Sequence, residues 1–276
     1  MKLIIEGRSV AVNRANFPAG ESLVAFVPDS RRTGSTVRAR ITYTFKGNDS
    51  LVELLLLTDA IRRHYEGYRV EITLLMPYFP YARQDRVCNE GESLSTKVIA
   101  DLINSQGYAK VICYDLHSDV TAVLINNLVH RRLPQLASFL KRKHPDAILV
   151  SPDAGSNKKV FEFAKLVGFD RVVRADKTRD VKTGQINGTQ VYLDAPLGHY
   201  DFLIVDDICD GGRTFIELAK QLRYHTMGRI YLYVTHGLFT KGYDSFWGLI
   251  DGIYTVNLMG EEDPLVTVVK SISEDV

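Results

Sequence analysis

The segment at 202–223 constrains this chain more than any other. An apolar run leads into two adjacent carboxylates, Asp206 and Asp207; a third carboxylate and two glycines follow, and apolar residues then recur at helical spacing. This pattern predicts a buried strand, a tight turn and a helix N-terminus. Such a turn aims backbone N–H groups and the positive end of a helix dipole at an anion. Because adjacent carboxylates can accept hydrogen bonds from a vicinal diol, the segment predicts a site for a ribose phosphate.

Composition narrows the class of protein. The 276 residues are 45% hydrophobic and 24% charged, as in a soluble globular chain of one large or two ordinary domains. A net charge of +1 gives no reason to expect nucleic acid or an anionic membrane as the main partner. The first residues are too polar for a signal peptide, and no apolar run approaches the ~20 residues of a membrane helix. Three cysteines without metal spacing indicate reduced thiols and a cytoplasmic protein.

Strand and helix patterns alternate along most of the chain. Predicted strands lie at 70–76, 110–114, 147–150, 202–205 and 230–234, and predicted helices at 51–63, 95–105, 136–142 and 157–167. Continuous apolar strands separated by helices predict an α/β fold with mainly parallel sheets and right-handed crossovers. About the first 45 residues look extended and antiparallel. Pro134 marks a predicted boundary between two α/β domains, 1–133 and 134–276.

Polar residues follow each of the five predicted strands. They are Arg83, Gln84 and Asp85, then Asp115 and His117, then Asp153, then Asp206 and Asp207, and last Thr235 and His236. In open α/β sheets, ligands bind beyond the carboxyl ends of the strands. We therefore expect these residues to line one binding site or two facing sites. Neither a P-loop nor a Gly-x-Gly-x-x-Gly pattern occurs, so a nucleotide would have to bind by other means.

Two of these clusters have a plainer interpretation when taken alone. Asp153 could hold Mg²⁺, or its turn could be an ordinary helix start capped by Ser156 or Asn157. In an extended segment Asp115 and His117 would point to one side and could meet a metal or its water ligands. They could equally be no more than hydrogen-bonded side chains.

Two basic segments are similarly ambiguous. Arg83 could fork onto a polyphosphate, or it could be solvated on a surface loop. Lys177 and Arg179 would share one face of an extended segment, where they could stabilise negative charge developing on a transferred phosphate. The alternative for this second pair is a solvated hairpin arm.

The joint order of the motifs removes much of this ambiguity. Six motifs follow one another in register. They are Phe-Pro-Ala-Gly-Glu at 17–21, Asn-Asp-Ser-Leu-Val-Glu-Leu-Leu at 48–55, Tyr-Ala-Arg-Gln-Asp at 81–85, Asp-Leu-His at 115–117, Ser-Pro-Asp-Ala-Gly at 151–155 and the segment 202–215. This set resembles the ribose-phosphate diphosphokinases, also called PRPP synthetases, from residue 17 to residue 239. The resemblance implies two type I phosphoribosyltransferase-like domains, each a mainly parallel sheet flanked by helices. The N-terminal domain would bind ATP and the C-terminal one ribose phosphate.

The resemblance also implies a reaction and a role for each motif residue. In this family the anomeric hydroxyl of ribose 5-phosphate attacks the β-phosphorus of MgATP, and AMP leaves. The implied roles are adenine contact across a subunit interface for Phe17 and Glu21, ATP binding for Arg83, Gln84, Asp85 and His117, Mg²⁺ binding for His117 and Asp153, catalysis from a flexible loop for Lys177 and Arg179, ribose hydroxyl binding for Asp206 and Asp207, and 5-phosphate binding for Asp210, Gly211, Gly212, Arg213 and Thr214. A shared adenine site implies a homo-oligomer, at least a dimer.

The chain departs from the family pattern in several places, of which two bear on the fold and the acceptor. Only 16 residues precede Phe17, so we expect no helix ahead of it, although the family usually has one there. Arg213 stands where a small glycine is usual. Either Arg213 points to solvent from the first helical turn, or the acceptor carries a larger 5-substituent, as ADP-ribose does.

Three other functions remain open at this point. They are diphosphorylation of ADP-ribose, consumption of PRPP by a type I phosphoribosyltransferase, and a non-catalytic regulatory relative. The ATP-facing motifs in the N-terminal half disfavour the second, and retention of Lys177, Arg179, His117 and Asp153 disfavours the third.

Overall fold

The computed structural model describes residues 1–28, 34–131, 134–179, 186–193 and 198–269, with the backbone alone at 134–137, 177–179 and 186–189. The chain divides into two compact units, Met1–Arg132 and Leu133–Val276. This division falls one residue before the boundary placed at Pro134 from the sequence.

The N-terminal unit is built on a six-stranded sheet and a separate hairpin. Its strands are β1 (Lys2–Ile5), β2 (Arg8–Val10), β3 (Val12–Asn16), β4 (Ser22–Phe26), β5 (Thr36–Thr42), β6 (Arg69–Leu75), β7 (Lys110–Tyr114) and β8 (Leu128–Arg131). Its helices are α1 (Asn48–His64), α2 (Ser95–Ser105) and α3 (Asp119–Leu124). The sheet order is β2-β1-β5-β6-β7-β8, and β3 pairs with β4 alone. The run from β5 to β8 is parallel, whereas β1 is antiparallel to both of its neighbours.

The start of the chain forms the antiparallel structure that the sequence predicts. Residues 2–16 form three strands, and residues 1–16 contain no helix. The hairpin turn after β3 is closed by a hydrogen bond from the Phe17 N–H to the Glu21 carbonyl at 2.8 Å, with Gly20 at φ +93°. Because β5 continues into the parallel run, the antiparallel prediction fails for its pairing with β6.

The C-terminal unit is a seven-stranded sheet. Its strands are β9 (Ile148–Ser151), β10 (Val172–Arg179), β11 (Ile186–Val191), β12 (Phe202–Cys209), β13 (Ile230–Gly237), β14 (Gly252–Leu258) and β15 (Val266–Val268), and its helices are α4 (Pro134–Lys143), α5 (Asn157–Val167) and α6 (Arg213–Arg223). The order is β11-β10-β9-β12-β13-β14-β15. Every pair is parallel except β10–β11. Two mainly parallel sheets flanked by helices confirm the predicted fold class.

The centre of the C-terminal sheet is buried on both faces. Ile204 of β12 belongs to the apolar cluster that includes Phe215 and Leu218 of α6. Its neighbour Leu203 belongs to the opposite cluster, with Val160 of α5. Successive strand residues point to opposite faces, so a strand covered on both sides must be apolar throughout. Fully burying each such side chain contributes roughly 1.5–3 kcal/mol.

Two central strands run further than the sequence predicts. β12 continues to Cys209 and β13 to Gly237, and the two stay paired to their last residues. The backbone N–H and C=O groups of the two strands provide hydrogen-bonding partners for each other, so the pairing of β12 and β13 extends through the polar residues. Asp206 and Asp207 therefore lie within the last residues of β12, not beyond its end.

The helices and the cysteines of the described residues bear on the sequence predictions of no membrane helix and reduced thiols. No helix among the described residues is long and apolar enough to cross a membrane. All three cysteines are free; Cys88 is exposed, and Cys113 and Cys209 are buried.

The buried His144 is expected to make stability depend on pH. Its Nε2 lies 2.9 Å from the Tyr254 hydroxyl, and burial, followed by the charge of Lys143, lowers the histidine pKa. The unfolded chain therefore binds this proton more readily than the folded one, and stability falls as pH drops below about 6.5. Urea unfolding from about pH 7.5 to about pH 5.5 checks this. His144→Gln should lose this part of the pH dependence. The exposed-site control His199→Gln should keep it, and equal slopes for both variants would contradict the assignment.

Candidate active site

The carboxylate pair on β12 is held by the beginning of α5. Asp207 has a side chain only 5% exposed, and its Oδ2 accepts a hydrogen bond from Lys159 Nζ at 2.8 Å. Asp206 Oδ1 accepts from the Asp207 N–H at 2.9 Å and from Ser156 Oγ at 3.0 Å. Both carboxylates are thus fixed by residues three apart on one helix start.

A third carboxylate joins the pair through Ser156. Asp153 Oδ1 accepts hydrogen bonds from the Ser156 N–H at 3.0 Å and from its Oγ at 3.1 Å. Ser151 closes the turn by donating its hydroxyl to the Asp153 carbonyl at 3.1 Å. Ser156 occupies the N-cap position of α5, but its side chain makes no capping hydrogen bond. The turn therefore serves the carboxylates in addition to starting the helix.

Burial and the closeness of these carboxylates change the pKa of Asp206. Burial, and then the neighbouring charge of Asp207, raise the pKa of Asp206 well above its ordinary range; the Asp207 N–H and the Ser156 hydroxyl act in the opposite direction. Desolvation disfavours the ionised form of a carboxyl, and a nearby like charge adds to that effect. Perturbed carboxyls of this kind cluster at functional sites.

The glycine turn after β12 is shaped by the loop that follows β13. Gly212 has φ +75°, and a Cβ added there would lie 2.3 Å from Phe246 Cζ. A Cβ on Gly211 would touch the aliphatic stem of Lys241, with Cδ at 3.4 Å. On the same side, Asp210 Oδ1 accepts from Thr240 Oγ1 at 2.6 Å. Only glycine fits at 212, so the turn presents backbone to the site.

The start of α6 carries the remaining residues of the predicted phosphate site. Arg213 is the first residue of the helix and is exposed, and Thr214 is half-buried. The apolar residues predicted for this helix are all buried in it: Phe215, Leu218, Ala219 and Leu222. The predicted strand, glycine turn and helix N-terminus are confirmed.

In the N-terminal unit, Ser118 links two of the predicted motifs. Its hydroxyl hydrogen bond, followed by that of Arg86, lowers the pKa of Asp85. The same Oγ accepts from the Val120 N–H at 3.1 Å and so caps α3. The neighbouring Gln84 side chain accepts a hydrogen bond from Ser95 at the start of α2. The structure thus places Asp85 of the 81–85 motif beside Ser118, the residue that directly follows the 115–117 motif.

The backbone at Asp115 differs from the prediction. Asp115 has φ +36°, so the segment is bent there instead of extended, and the alternation argument that put Asp115 and His117 on one side is wrong. The bend is held by hydrogen bonds from the Asp115 N–H to the Arg131 carbonyl at 3.2 Å and from the Leu116 N–H to His130 Nε2 at 3.0 Å. His117 is exposed beyond this bend.

Four further predicted residues lie on other elements of the fold. Phe17, 51% exposed, and Glu21 lie at the tip of the β3–β4 hairpin, on a separate two-stranded sheet. The backbones of Lys177 and Arg179 lie in β10, and their side chains are outside the described part of the chain.

Comparison with known proteins gives one consistent result. Residues 8–107 match the family model for the N-terminal domain of ribose phosphate pyrophosphokinase. The ribose-phosphate pyrophosphokinase of Mycoplasma pneumoniae is 31% identical over 89% of this chain and 75% of its own. That of a Marinomonas species is 32% identical over 82% of this chain and 73% of its own. The chain belongs to the ribose-phosphate pyrophosphokinase family. The resemblance found in the sequence is therefore confirmed.

The fold agrees with this family membership. The crystal structure of phosphoribosylpyrophosphate synthetase from Mycobacterium smegmatis superposes with a TM-score of 0.78, covering 94% of this chain and 86% of that one at 24% identity. The phosphoribosyltransferase-like architecture of a ribose-phosphate pyrophosphokinase thus accounts for nearly the whole chain.

Two side chains that contact the carboxylate pair are not predicted as site residues from the sequence. They are Lys159, and Ser156, which the sequence predicts only as a possible helix cap. A signal existed, because residues three apart at a helix start lie on the same face, beside a strand end that carries two carboxylates. Such a carboxylate pair needs a cation and hydrogen-bond donors when it is buried.

Gly212 provides a stability test of the glycine turn. A non-glycine residue at positive φ costs roughly 1–2 kcal/mol. Gly242→Ala, at φ +66° with open space around its Cβ, should lose about that much in urea unfolding. Gly212→Ala must also displace Phe246, so it should lose clearly more. Equal losses in the two variants would show that Phe246 does not constrain the turn.

Proposed function

We propose that this chain transfers the β,γ-diphosphoryl group of MgATP to the anomeric 1-hydroxyl of ribose 5-phosphate, giving PRPP and AMP. The observation that carries the proposal is the carboxylate pair with a glycine turn and a helix N-terminus within the next seven residues, at 206–214, in a chain of the ribose-phosphate pyrophosphokinase family. A diol clamp and an anion cradle at this spacing suit a ribose that carries a terminal phosphate. The names of the relatives favour ribose 5-phosphate over ADP-ribose as the acceptor.

The residues of the C-terminal unit would hold the acceptor for in-line attack. Asp206 and Asp207 accept hydrogen bonds from the ribose hydroxyls, and the backbone of Gly211 and Gly212 surrounds the 5-phosphate. The acceptor oxygen then forms a bond to the β-phosphorus, while the bond from that phosphorus to the oxygen retained by AMP breaks. Such transfers depend on placement and charge stabilisation more than on a dedicated base.

The remaining predicted residues would serve the nucleotide. In this proposal Arg83, Gln84, Asp85 and His117 bind the ATP phosphates or base, and Lys177 and Arg179 stabilise the charge that develops on the transferred group. The exposed ring of Phe17, with Glu21, would contact adenine bound by a second subunit, which makes the enzyme a homo-oligomer. The N-terminal unit would be the ATP-binding domain of a cytoplasmic enzyme. The list of partners is then ATP and ribose 5-phosphate, without nucleic acid or membrane.

The turn at Asp153 is suited to Mg²⁺. No group of three or more His, Cys, Asp or Glu side chains among the described residues could enclose a metal ion. Mg²⁺ rarely needs such a cage, since it binds through one or two carboxylates together with waters and substrate phosphates. Asn157 adds a buried side-chain oxygen that has no hydrogen-bond partner in the described part of the chain. Asp153 would bind Mg²⁺ in the C-terminal unit, and the ion would polarise the phosphoryl oxygens. His117 is the Mg²⁺ ligand that the family resemblance implies in the N-terminal unit.

The acceptor assignment is tested by AMP release. Purified protein with MgATP should turn over ribose 5-phosphate with a kcat/KM on the order of tenfold or more above that for ADP-ribose. A matched reaction with excess chelator should show no release. Better turnover of ADP-ribose would overturn the acceptor assignment, and release with neither acceptor would overturn the transferase function.

Lys177 is expected to be needed for turnover but not for folding. Lys177→Ala should lower kcat roughly a hundredfold or more, because a charge that acts in the transition state is removed. Lys165→Ala, on the exposed last turn of α5, is the matched control and should keep wild-type kcat. Melting temperatures of both variants should match the wild type. Wild-type AMP release by Lys177→Ala would remove this residue from the mechanism.

A further inference from the structure

We propose that Ser156 and Lys159 are positioning residues that orient Asp206 and Asp207 toward the ribose hydroxyls of the acceptor. This inference rests on the proposed function of the same site. It assigns to the first turn of α5 a role in acceptor recognition that is distinct from metal or phosphate binding.

The start of α5 supplies a hydrogen-bond donor to each carboxylate. Neighbouring residues of a strand point to opposite faces, so different side chains of this helix start reach Asp206 and Asp207. Asp207 lies on the face covered by α5, where Lys159 Nζ meets its Oδ2 at 2.8 Å. Asp206 is reached at the strand end, where Ser156 Oγ lies 3.0 Å from its Oδ1. One helix start thus sets the direction of both acceptors.

The Ser156 hydroxyl also connects Asp206 to the neighbouring turn. A hydroxyl carries a single proton, and two carboxylate oxygens lie near it, Asp206 Oδ1 at 3.0 Å and Asp153 Oδ1 at 3.1 Å. It can donate to only one of them at a time. The Asp207 N–H also donates to Asp206 Oδ1, so the Ser156 hydroxyl adds a second donor that Asp206 shares with the 151–156 turn.

Lys159 holds the second carboxylate by charge. Asp207 is 4% exposed, and burying a carboxylate without a cation costs several kcal/mol. The more exposed Lys159 reaches it along its aliphatic stem, with 37% of its side chain accessible. The ammonium group at 2.8 Å from Oδ2 fixes the direction of this carboxyl group near the strand end, where it could accept hydrogen bonds from a diol.

A purely structural role makes a different prediction. A structural ion pair or helix cap would lower the melting temperature on removal and leave the KM values for both substrates alike. Ser156 makes no capping hydrogen bond with its side chain, so helix capping does not explain its position. Positioning residues should instead affect the acceptor and spare ATP.

The test uses full-length Ser156→Ala and Lys159→Met, with Ser156→Thr to restore the hydroxyl and Lys165→Met as a control on the exposed last turn of the same helix. KM for ribose 5-phosphate, KM for ATP and kcat are measured together with melting temperature. Binding of ribose 5-phosphate without nucleotide is measured by calorimetry. This readout does not depend on turnover.

The proposal expects a selective effect on the acceptor. Ser156→Ala and Lys159→Met should raise the KM and Kd for ribose 5-phosphate on the order of tenfold to a hundredfold, the range for a lost hydrogen bond to a charged group. KM for ATP should stay near the wild-type value, Ser156→Thr should recover acceptor binding, and Lys165→Met should resemble wild type.

Two other outcomes separate the possible failures. If wild type binds and uses ribose 5-phosphate but Ser156→Ala matches it, or weakens both substrates equally, the positioning role is wrong and the proposed function stands. If wild type itself neither binds nor uses ribose 5-phosphate, the proposed function fails. Should Lys159→Met not fold, Ser156→Ala still decides, because it removes one oxygen and no charge.

Discussion

The architecture of the C-terminal unit depends on placing two adjacent carboxylates at the end of a strand that is otherwise buried on both faces. Burying a charge costs several kcal/mol unless a counter-charge and hydrogen-bond donors accompany it. Here α5 supplies both, through Lys159 on Asp207 and Ser156 on Asp206. The turn after β9 and the helix that follows it must therefore meet the end of β12, which fixes β9 as its neighbour in the sheet.

The same constraint limits how stable this end of the sheet can be. The pKa of Asp206 stays raised despite its donors, so the fold carries an electrostatic cost at this position. An apolar pair would pack there without that cost, but it would offer a diol no acceptors. At functional sites, residues that the chemistry requires commonly lower the stability of the fold. Extending the pairing of β12 and β13 through these residues helps to offset the cost with backbone hydrogen bonds.

The sequence predicted the parts that follow from periodicity and missed those that depend on local geometry. Alternating apolar runs located the strands and helices of both units, because burial on two faces leaves a strong pattern. The bend at Asp115 left no such pattern, since it depends on Arg131 and His130 from a neighbouring strand. The pairing of Lys159 with Asp207 joins residues 48 apart, so only the tertiary fold brings them together.

Arg213 is the position that departs most from the family pattern, and it lies next to a tightly packed glycine turn. Phe246 packs against Gly212, Lys241 packs against Gly211, and Thr240 donates a hydrogen bond to Asp210. Arg213 begins α6 and is exposed, which agrees with an arginine that points to solvent from the first helical turn. An arginine at this position therefore adds positive charge near the turn without filling it. The contacts that shape the turn at Gly211 and Gly212 come from Lys241 and Phe246 and do not require a particular side chain at position 213.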